Sequence, residues 1–334
     1  MKAIRIHEYG SSEQLKYEET ITPIFNENEV LVKIHATSVN HLEMMQAAGK
    51  MKENNPLQFP WIPGYDFAGI VERKGDNVTD FEIGDRVYGN CKGGSYAEYV
   101  AADTNKMTKI PESLSFKEAA TVPHVGETAW QAIHTHGQLQ KGQSVLIQGA
   151  AGAVGGFAVQ FAHLTGAKVY ATVSFDDKSY VESLGADVII DYKSTDFTTV
   201  AKDMDLVIDL VGGETQQRSY SVIKPGGRLV STVGVKKEGK DEARKNNVTA
   251  ISMVIEQSRE DLEKITQLFN ENKLQCDVEL TYFLEDAPTA WNVLLGKDPA
   301  LPKLSHGKVV LQVINQEGKD EPVVSHIENC ENCY

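Results

Sequence analysis

Cysteine is scarce in this chain. Only Cys91, Cys276, Cys330 and Cys333 occur among the 334 residues, too few for a disulfide framework of this size and in keeping with a reducing compartment. Long apolar runs are also missing. None approaches the roughly 18 residues needed to cross a bilayer, and the opening stretch Met1 to Gly10 lacks the apolar centre of an export signal. The chain is therefore expected to be soluble, unexported and cytoplasmic, with no membrane partner. Basic residues are in deficit: 33 Lys and Arg stand against 47 Asp and Glu, a net charge of −14. That balance disfavours nucleic acid, whose phosphates demand a basic face. An anionic ligand would have to be captured by a local site.

What is present fits an ordinary globular protein, 41% apolar and 24% charged. Its length exceeds the usual limit of one hydrophobic core, so two domains are expected. The first hundred residues read as β-rich. Val30 to His35 alternates with the period of a strand, and Phe67 to Glu72 and Asp85 to Tyr88 are further short strands. Turn residues at Gly75-Asp76-Asn77, Gly84-Asp85 and Gly93-Gly94 punctuate them, suggesting a barrel-like or sandwich-like antiparallel core.

From about residue 121 the rhythm changes. Helical Thr128 to His136 leads to strand Ser144 to Gln148, a glycine-rich turn and an apolar helix from Val154 to Thr165. Strands follow at Lys168 to Val173, Val188 to Ile190, Asp205 to Asp209 and Arg228 to Val233, with a helix around Asp177 to Leu184. This alternation is the pattern of a doubly wound parallel sheet. Val248 to Ile255 is a further strand and Glu260 to Asn272 a helix. Val278 to Phe283, Asp286 to Leu295 and Lys308 to Val313 look like elements returning to the first domain. The fold class is thus α/β: residues 1–120, completed by 274–334, form the β-rich domain, and 121–273 form a Rossmann-type one. The polar stretch from Gln316 reads as an extended tail, with Cys330 and Cys333 incidental to it.

The glycine turn carries the first functional signal. Gly149, Gly152 and Gly155 stand in a G-x-x-G-x-x-G series between strand and helix. Glycines there let the backbone turn sharply and bring a pyrophosphate to the amides at the positive helix end, and Gly155 allows close packing of helix on strand. NAD enzymes place a carboxylate at the tip of the second strand, about 20 residues on, for the ribose 2′-hydroxyl. Here the tip reads Val173-Ser174. Ser174 can donate to a phosphate, Lys178 brings a cation one turn later, and Tyr192 lies after the next strand. Asp176 and Asp177 read as solvent-facing residues favouring the positive end of the following helix. NADPH is expected in preference to NADH.

Five motifs occur in a recognisable order: Gly64 to Val71, Gly84 to Val87, Gly93 to Tyr99, Gly149 to Gly155 and Lys224 to Arg228. Together they make the chain, from residue 1 to about 313, resemble the medium-chain dehydrogenase/reductase superfamily, closest to its zinc-free, NADPH-dependent quinone and enone reductases. The resemblance implies a GroES-like catalytic domain interrupted by the cofactor domain, with the active site in the cleft between them. It implies that Gly152, Ala153 and Val154 border the pyrophosphate and that Ser174, Lys178 and Tyr192 surround the 2′-phosphate. By the same resemblance Val233, Gly234 and Asn40 lie beside the nicotinamide, and Lys308 lies near the cofactor.

Zinc-dependent relatives place a cysteine in the segment matching Ala36 to His41, a His-Glu pair where this chain has Tyr65-Asp66, and a third ligand near His124. Only a histidine and a carboxylate of ligand type remain, short of the three protein ligands a catalytic zinc needs. No metal is expected. Asn40 is then a candidate donor to the substrate oxygen, and Tyr65 and His124 candidate proton donors beside His41, although each fits a purely structural role too. His134 and His136 are read as surface residues. Many quinone reductases of the family carry a tyrosine near the position of Met45. The expected reaction is hydride transfer from NADPH to a quinone or α,β-unsaturated carbonyl. A zinc-free aldehyde or carbonyl reductase, or a noncatalytic NADPH-binding crystallin-like or regulatory protein, would fit the same residues. The apolar strand Val248 to Ile255 suggests a homodimer paired edge to edge.

Overall fold

The computed structural model describes residues 1–296 and 298–314; the Cys330 and Cys333 pair lies outside them. Strands β1 (Lys2–Arg5) and β2 (Lys16–Glu19) form a small antiparallel ribbon. Then come β3 (Glu29–Ser38), helix α1 (His41–Ala47), β4 (Asp66–Lys74), β5 (Arg86–Asn90), β6 (Tyr99–Asp103) and β7 (Met107–Lys109). These pair antiparallel, β3 with β4 and β6, β4 with β5, and β5 with β7. Val30, Val32 and Ile34 of β3 alternate into a core with Phe67, Phe81 and Met107, as a strand with one buried face requires.

Short helix α2 (Phe116–Ala120) leads into α3 (Pro123–Trp130). Pro123 opens α3, where a missing N–H costs nothing. The helix therefore starts five residues before its apolar periodicity suggests, and it loosens into a π-helical turn over Gln131–His136. His134 is not a surface residue: it is half-buried with its ring 4.2 Å from that of Trp130.

The second unit alternates as expected. Its elements are β8 (Ser144–Gln148), α4 (Ala153–Thr165), β9 (Lys168–Val173), α5 (Lys178–Ser183), β10 (Val188–Asp191), α6 (Phe197–Val200), β11 (Met204–Asp209), α7 (Gly213–Ser219), β12 (Ile223–Ser231), α8 (Lys237–Lys245), β13 (Thr249–Ser252) and α9 (Arg259–Asn270). The strands form one parallel sheet in the order β10-β9-β8-β11-β12-β13. Val145, Leu146, Ile147, Val207 and Ile208 are wholly buried, because helices cover both faces. Two strands end earlier than the sequence pattern suggests, although β12 also begins five residues sooner. β12 stops at Ser231, leaving Val233 and Gly234 in a turn, and β13 spans four residues rather than eight.

The chain then goes home. β14 (Val278–Phe283), helix α10 (Ala287–Leu295) and β15 (Lys308–Gln312) rejoin the first sheet, with β15 antiparallel to β3. β14 runs parallel to β15, so the seven-stranded sheet β14-β15-β3-β4-β5-β7, with β6 on β3, is mixed, not purely antiparallel. A GroES-like domain and a Rossmann-like domain account for the two sheets.

Candidate active site

The order of the parallel sheet reverses at β8, with β9 on one side and β11 on the other. Crevices at the carboxyl ends of such strands are where this architecture binds dinucleotides. Gly149 sits there with φ +80°, a left-handed conformation that favours glycine. A Cβ on Gly155 would stand 2.3 Å from the Gly149 carbonyl oxygen, so the helix can approach the strand only without a side chain. Gly152 is the N-cap of α4 and no side chain caps the helix. Its first amides, those of Ala153 and Val154 among them, are available to an anion at the positive end of a 13-residue helix. The residues present fit a dinucleotide.

A buried carboxylate shapes the neighbouring ledge. Asp209, at the end of β11, accepts the amides of Val211 (3.2 Å) and Gly212 (2.8 Å) on one oxygen. Its other oxygen accepts Gln216 Nε2 at 2.6 Å and Ser231 Oγ at 2.8 Å. Gln216 also donates to the Gly234 carbonyl at 2.9 Å. The loops after β11 and β12 are thus tied together, leaving Val211 and Val233 more than half exposed beside Gly149 and Gly212. Sequence reading singled out Val233 and Gly234 but missed the carboxylate beneath them. Its signal was an Asp closing the apolar strand Leu206-Val-Ile208.

At the tip of β9, Ser174 and Lys178 flank one short helical turn, and Tyr192 is 59% exposed with its amide on the Val173 carbonyl. The Lys178 ammonium lies 4.7 Å from the Phe175 ring. Asp177 does not face solvent as expected. One short helical turn folds it back, and its carboxylate accepts Ser174 Oγ at 2.5 Å.

Across the chain, four segments meet at Asp66, which is wholly buried. Its Oδ2 accepts Ser38 Oγ (2.6 Å), Asn40 Nδ2 (3.0 Å) and Lys308 Nζ (3.1 Å). Its Oδ1 accepts the His124 backbone amide at 2.8 Å. Lys308 Nζ also donates to Asn40 Oδ1 at 2.6 Å. Burial alone would raise the Asp66 carboxyl; Lys308, His124 and the bonds from Ser38 and Asn40 outweigh it and hold the group below its ordinary value. Lys308 and Ala153 line one narrow crevice, so the lysine does approach the start of α4, with its ammonium turned to Asp66 and Asn40.

Tyr65 and His124 lie in front of this cluster with ring centroids 6.2 Å apart. Tyr65 donates to Gln46 Oε1 at 2.5 Å, and burial pushes its hydroxyl up to about 12. Burial lowers the His124 pKa, partly opposed by Asp66. His124 Nδ1 is buried without a hydrogen-bond partner. His41 caps no part of this cluster, and its pKa is lowered by burial and by Lys308. Behind Asn40, the wholly buried Glu43 accepts the Asn40 amide at 2.6 Å and Tyr96 OH at 3.1 Å. Its Oε2 has no partner, and burial pushes its carboxyl up to about 8.

The donors at the positions where relatives hold zinc do not suit that ion. Asn40 and Tyr65 are weak ligands, and Asp66 already has a buried ammonium as its cation. Among the described residues no group of three or more His, Cys, Asp or Glu could hold a metal.

Comparison with known proteins defines the class. Residues 26–112 match the model described as alcohol dehydrogenase GroES-like domain, and 184–300 the one described as zinc-binding dehydrogenase. The chain belongs to the medium-chain dehydrogenases/reductases of the quinone oxidoreductase type. A quinone oxidoreductase structure from Coxiella burnetii is 32% identical, covers 94% of this chain and 99% of its own, and superposes with a TM-score of 0.84. The 2-methylene-furan-3-one reductase of Solanum lycopersicum is 38% identical over 70% of this chain. The chloroplastic NADPH-dependent alkenal/one oxidoreductase of Arabidopsis thaliana is 36% identical, again over 70%. The aligned part of this chain spans 62% and 63% of the lengths of those two relatives.

Two outcomes follow. Lys308→Met strands Asp66 as an uncompensated buried charge, so urea unfolding should show a loss of about 3–5 kcal/mol, and adding Asp66→Asn should recover part of it. The second concerns Glu43. A carboxyl raised from about 4.3 when unfolded to about 8 when folded gives stability present below the lower value and lost as pH rises through the higher one. Denaturation between pH 5 and 8 should therefore show a shallower decline for Glu43→Gln than for the wild-type chain; an identical slope would refute the assignment.

Proposed function

We propose that this protein transfers hydride from NADPH to a quinone or α,β-unsaturated carbonyl without zinc. The observation that carries the reading is the pairing of an uncapped, glycine-opened α4 with a metal-poor cluster at Asp66. Relatives named for NADPH and for alkenals, enones or quinones support it. The acceptor gains a hydride at carbon and a proton from a donor as NADPH becomes NADP+. When bound, the cofactor supplies that hydride from C4.

The chain's own residues have distinct tasks. Gly149, Gly152, Ala153, Val154 and Gly155 give the pyrophosphate its backbone seat, and Val233 and Gly234 form the ledge for the nicotinamide. Ser174, Lys178 and Tyr192 receive the 2′-phosphate. Asp177 must then share Ser174 with that phosphate, which leaves Lys178 as the main source of discrimination. Tyr65 and His124 are the candidate proton donors. Asn40 gives one amide hydrogen to Asp66 and accepts from Lys308, so it helps hold the floor of the site while its second amide hydrogen is left to donate to the substrate oxygen. A conjugated acceptor spreads the developing charge, which lessens the need for a Lewis acid.

The domain division at 1–120 with 274–334 against 121–273 belongs to the same reading, as do a cytoplasmic location and a homodimer. β13 is the edge of the parallel sheet and leaves a strand edge to pair with a second copy. No helix among the described residues is long and apolar enough to cross a membrane.

A turnover screen of quinones, enones and aldehydes with NADPH, before and after chelation, tests the proposal. Oxidation with quinones or enones that survives chelation is expected, and aldehyde-only turnover or loss on chelation would overturn it. Lys178→Ala should raise KM for NADPH about tenfold, the equivalent of one charge-assisted hydrogen bond, while leaving NADH nearly unchanged. Sedimentation should give a dimer; a monomer at all concentrations refutes the pairing.

A further inference from the structure

Helix α3 and the turn after it carry a polar stripe, of which only His124 has a role above. His124, Glu127 and Gln131 recur at spacings of three and four, which places them on one helix face. Glu127 and Gln131 are 1% and 4% exposed. Buried polar groups persist only when paired, and each of these is paired across the molecule. Glu127 Oε2 accepts Asn90 Nδ2 at the end of β5. Its Oε1 accepts the backbone amide of Ser258, the N-cap of α9, at 2.7 Å. Gln131 Nε2 donates to the Glu256 carbonyl at 2.7 Å, and Gln131 Oε1 accepts the Glu256 amide at 3.1 Å.

These bonds fix the far end of a short bridge. Its near end is Met253, whose amide donates to the Ser231 carbonyl at 3.0 Å, two residues before Val233. Gln257 Nε2 then reaches the Cys91 carbonyl at 3.4 Å, and the Cys91 amide donates to the Tyr65 carbonyl at 2.8 Å. Segment 253–258 thus runs from the nicotinamide ledge to the turn behind Tyr65. Between its anchors Val254 is 81% exposed.

We propose that Glu127 is a positioning residue that pins segment 253–258 across the cleft, making that segment a wall of the acceptor pocket and Val254 a determinant of which acceptors fit. This rests on the hydride-transfer reading above. The carboxylate is suited to the task because two donors approach from opposite sides and each needs its own oxygen. A glutamine can serve equally. Asn90 Oδ1 is buried without a partner, so a turned Asn90 carboxamide would accept from the new amide while Ser258 keeps its acceptor.

Steady-state kinetics with NADPH, a short-chain enone and a naphthoquinone test this. Glu127→Ala should raise the acceptor KM about tenfold, equivalent to one buried hydrogen bond. It should also change the ratio of kcat/KM between the two acceptors while KM for NADPH stays within about twofold, a margin well below that same bond. Glu127→Gln should restore wild-type values. An unchanged acceptor KM and ratio, or an equal fall for both acceptors together with weaker NADPH binding, overturns the proposal. Should Glu127→Ala fail to fold, Gln257→Ala releases the bridge from Cys91 and must shift the same ratio; no shift overturns it equally. If neither acceptor supports oxidation of NADPH by the wild-type chain, the hydride-transfer reading itself is removed.

Discussion

A carboxylate wholly out of water sets the constraint on which this architecture turns. Asp66 has its cation in Lys308, 242 positions away along the chain, and its remaining acceptor sites are filled from Ser38, Asn40 and the start of α3. A buried ion pair is seldom a net source of stability, since desolvation offsets the attraction, but breaking one is severe. Its effect is on arrangement. The bonds to Asp66 tie β3, β4, α3 and β15 to one another, and so hold β15 against the first sheet. The long excursion through the Rossmann-like unit is thereby closed, with α3 and the crevice beside α4 held against the floor of the first sheet.

A second buried carboxylate works on the other side of the cleft. Asp209 has no cation; it is satisfied by two amides, a hydroxyl and a carboxamide. Those donors belong to the loops at the carboxyl ends of β11 and β12, so a single side chain fixes the shape of a ledge made largely of backbone. The two halves of the site are built by one rule. A buried anion collects donors from segments that would otherwise be loose, leaving Val211 and Val233 exposed above Asp209 and Tyr65 and His124 beside Asp66.

How much of this can be read from sequence follows from the range of the interactions. The glycine turn is legible because its physics is local: a strand, a left-handed Gly149, and a helix that needs Gly155 for close packing lie within a dozen residues. The strands of the parallel sheet are legible for a similar reason, since burial on both faces makes them uniformly apolar. Asp177 was misjudged because charge and helix-start position suggest exposure, whereas a single tight turn brings it onto Ser174. β13 was overextended because Met253 and Val254 continue an apolar run, although the chain has already left the ladder there. Asp66 with Lys308 was beyond reach altogether. Each residue is singled out in the sequence for a different reason, Asp66 as a ligand-type carboxylate and Lys308 as a neighbour of the cofactor, and nothing short of the assembled sheet puts them 3.1 Å apart.

Helix α3 shows why the intermediate case is the instructive one. An apolar helix with polar residues at 124, 127 and 131 breaks the expected pattern in a regular way, one face polar yet not exposed. That regularity is visible in sequence and is a stronger hint than any isolated polar residue, because a solvent-facing stripe would not be set within so apolar a helix. Its partners also have an order. The first turn meets Asp66 through backbone, the second meets Asn90, which lies directly across from Asp66 in the β4–β5 ladder, and the third meets the loop leading to α9. One helix thus reads off two adjacent strands of one sheet and a loop of the other, so a displacement of either unit is felt along the whole stripe. The burial that pushes Glu127 up to about 8 agrees with a role set by shape and hydrogen bonding more than by charge, as does the unpartnered oxygen of Asn90 beside it.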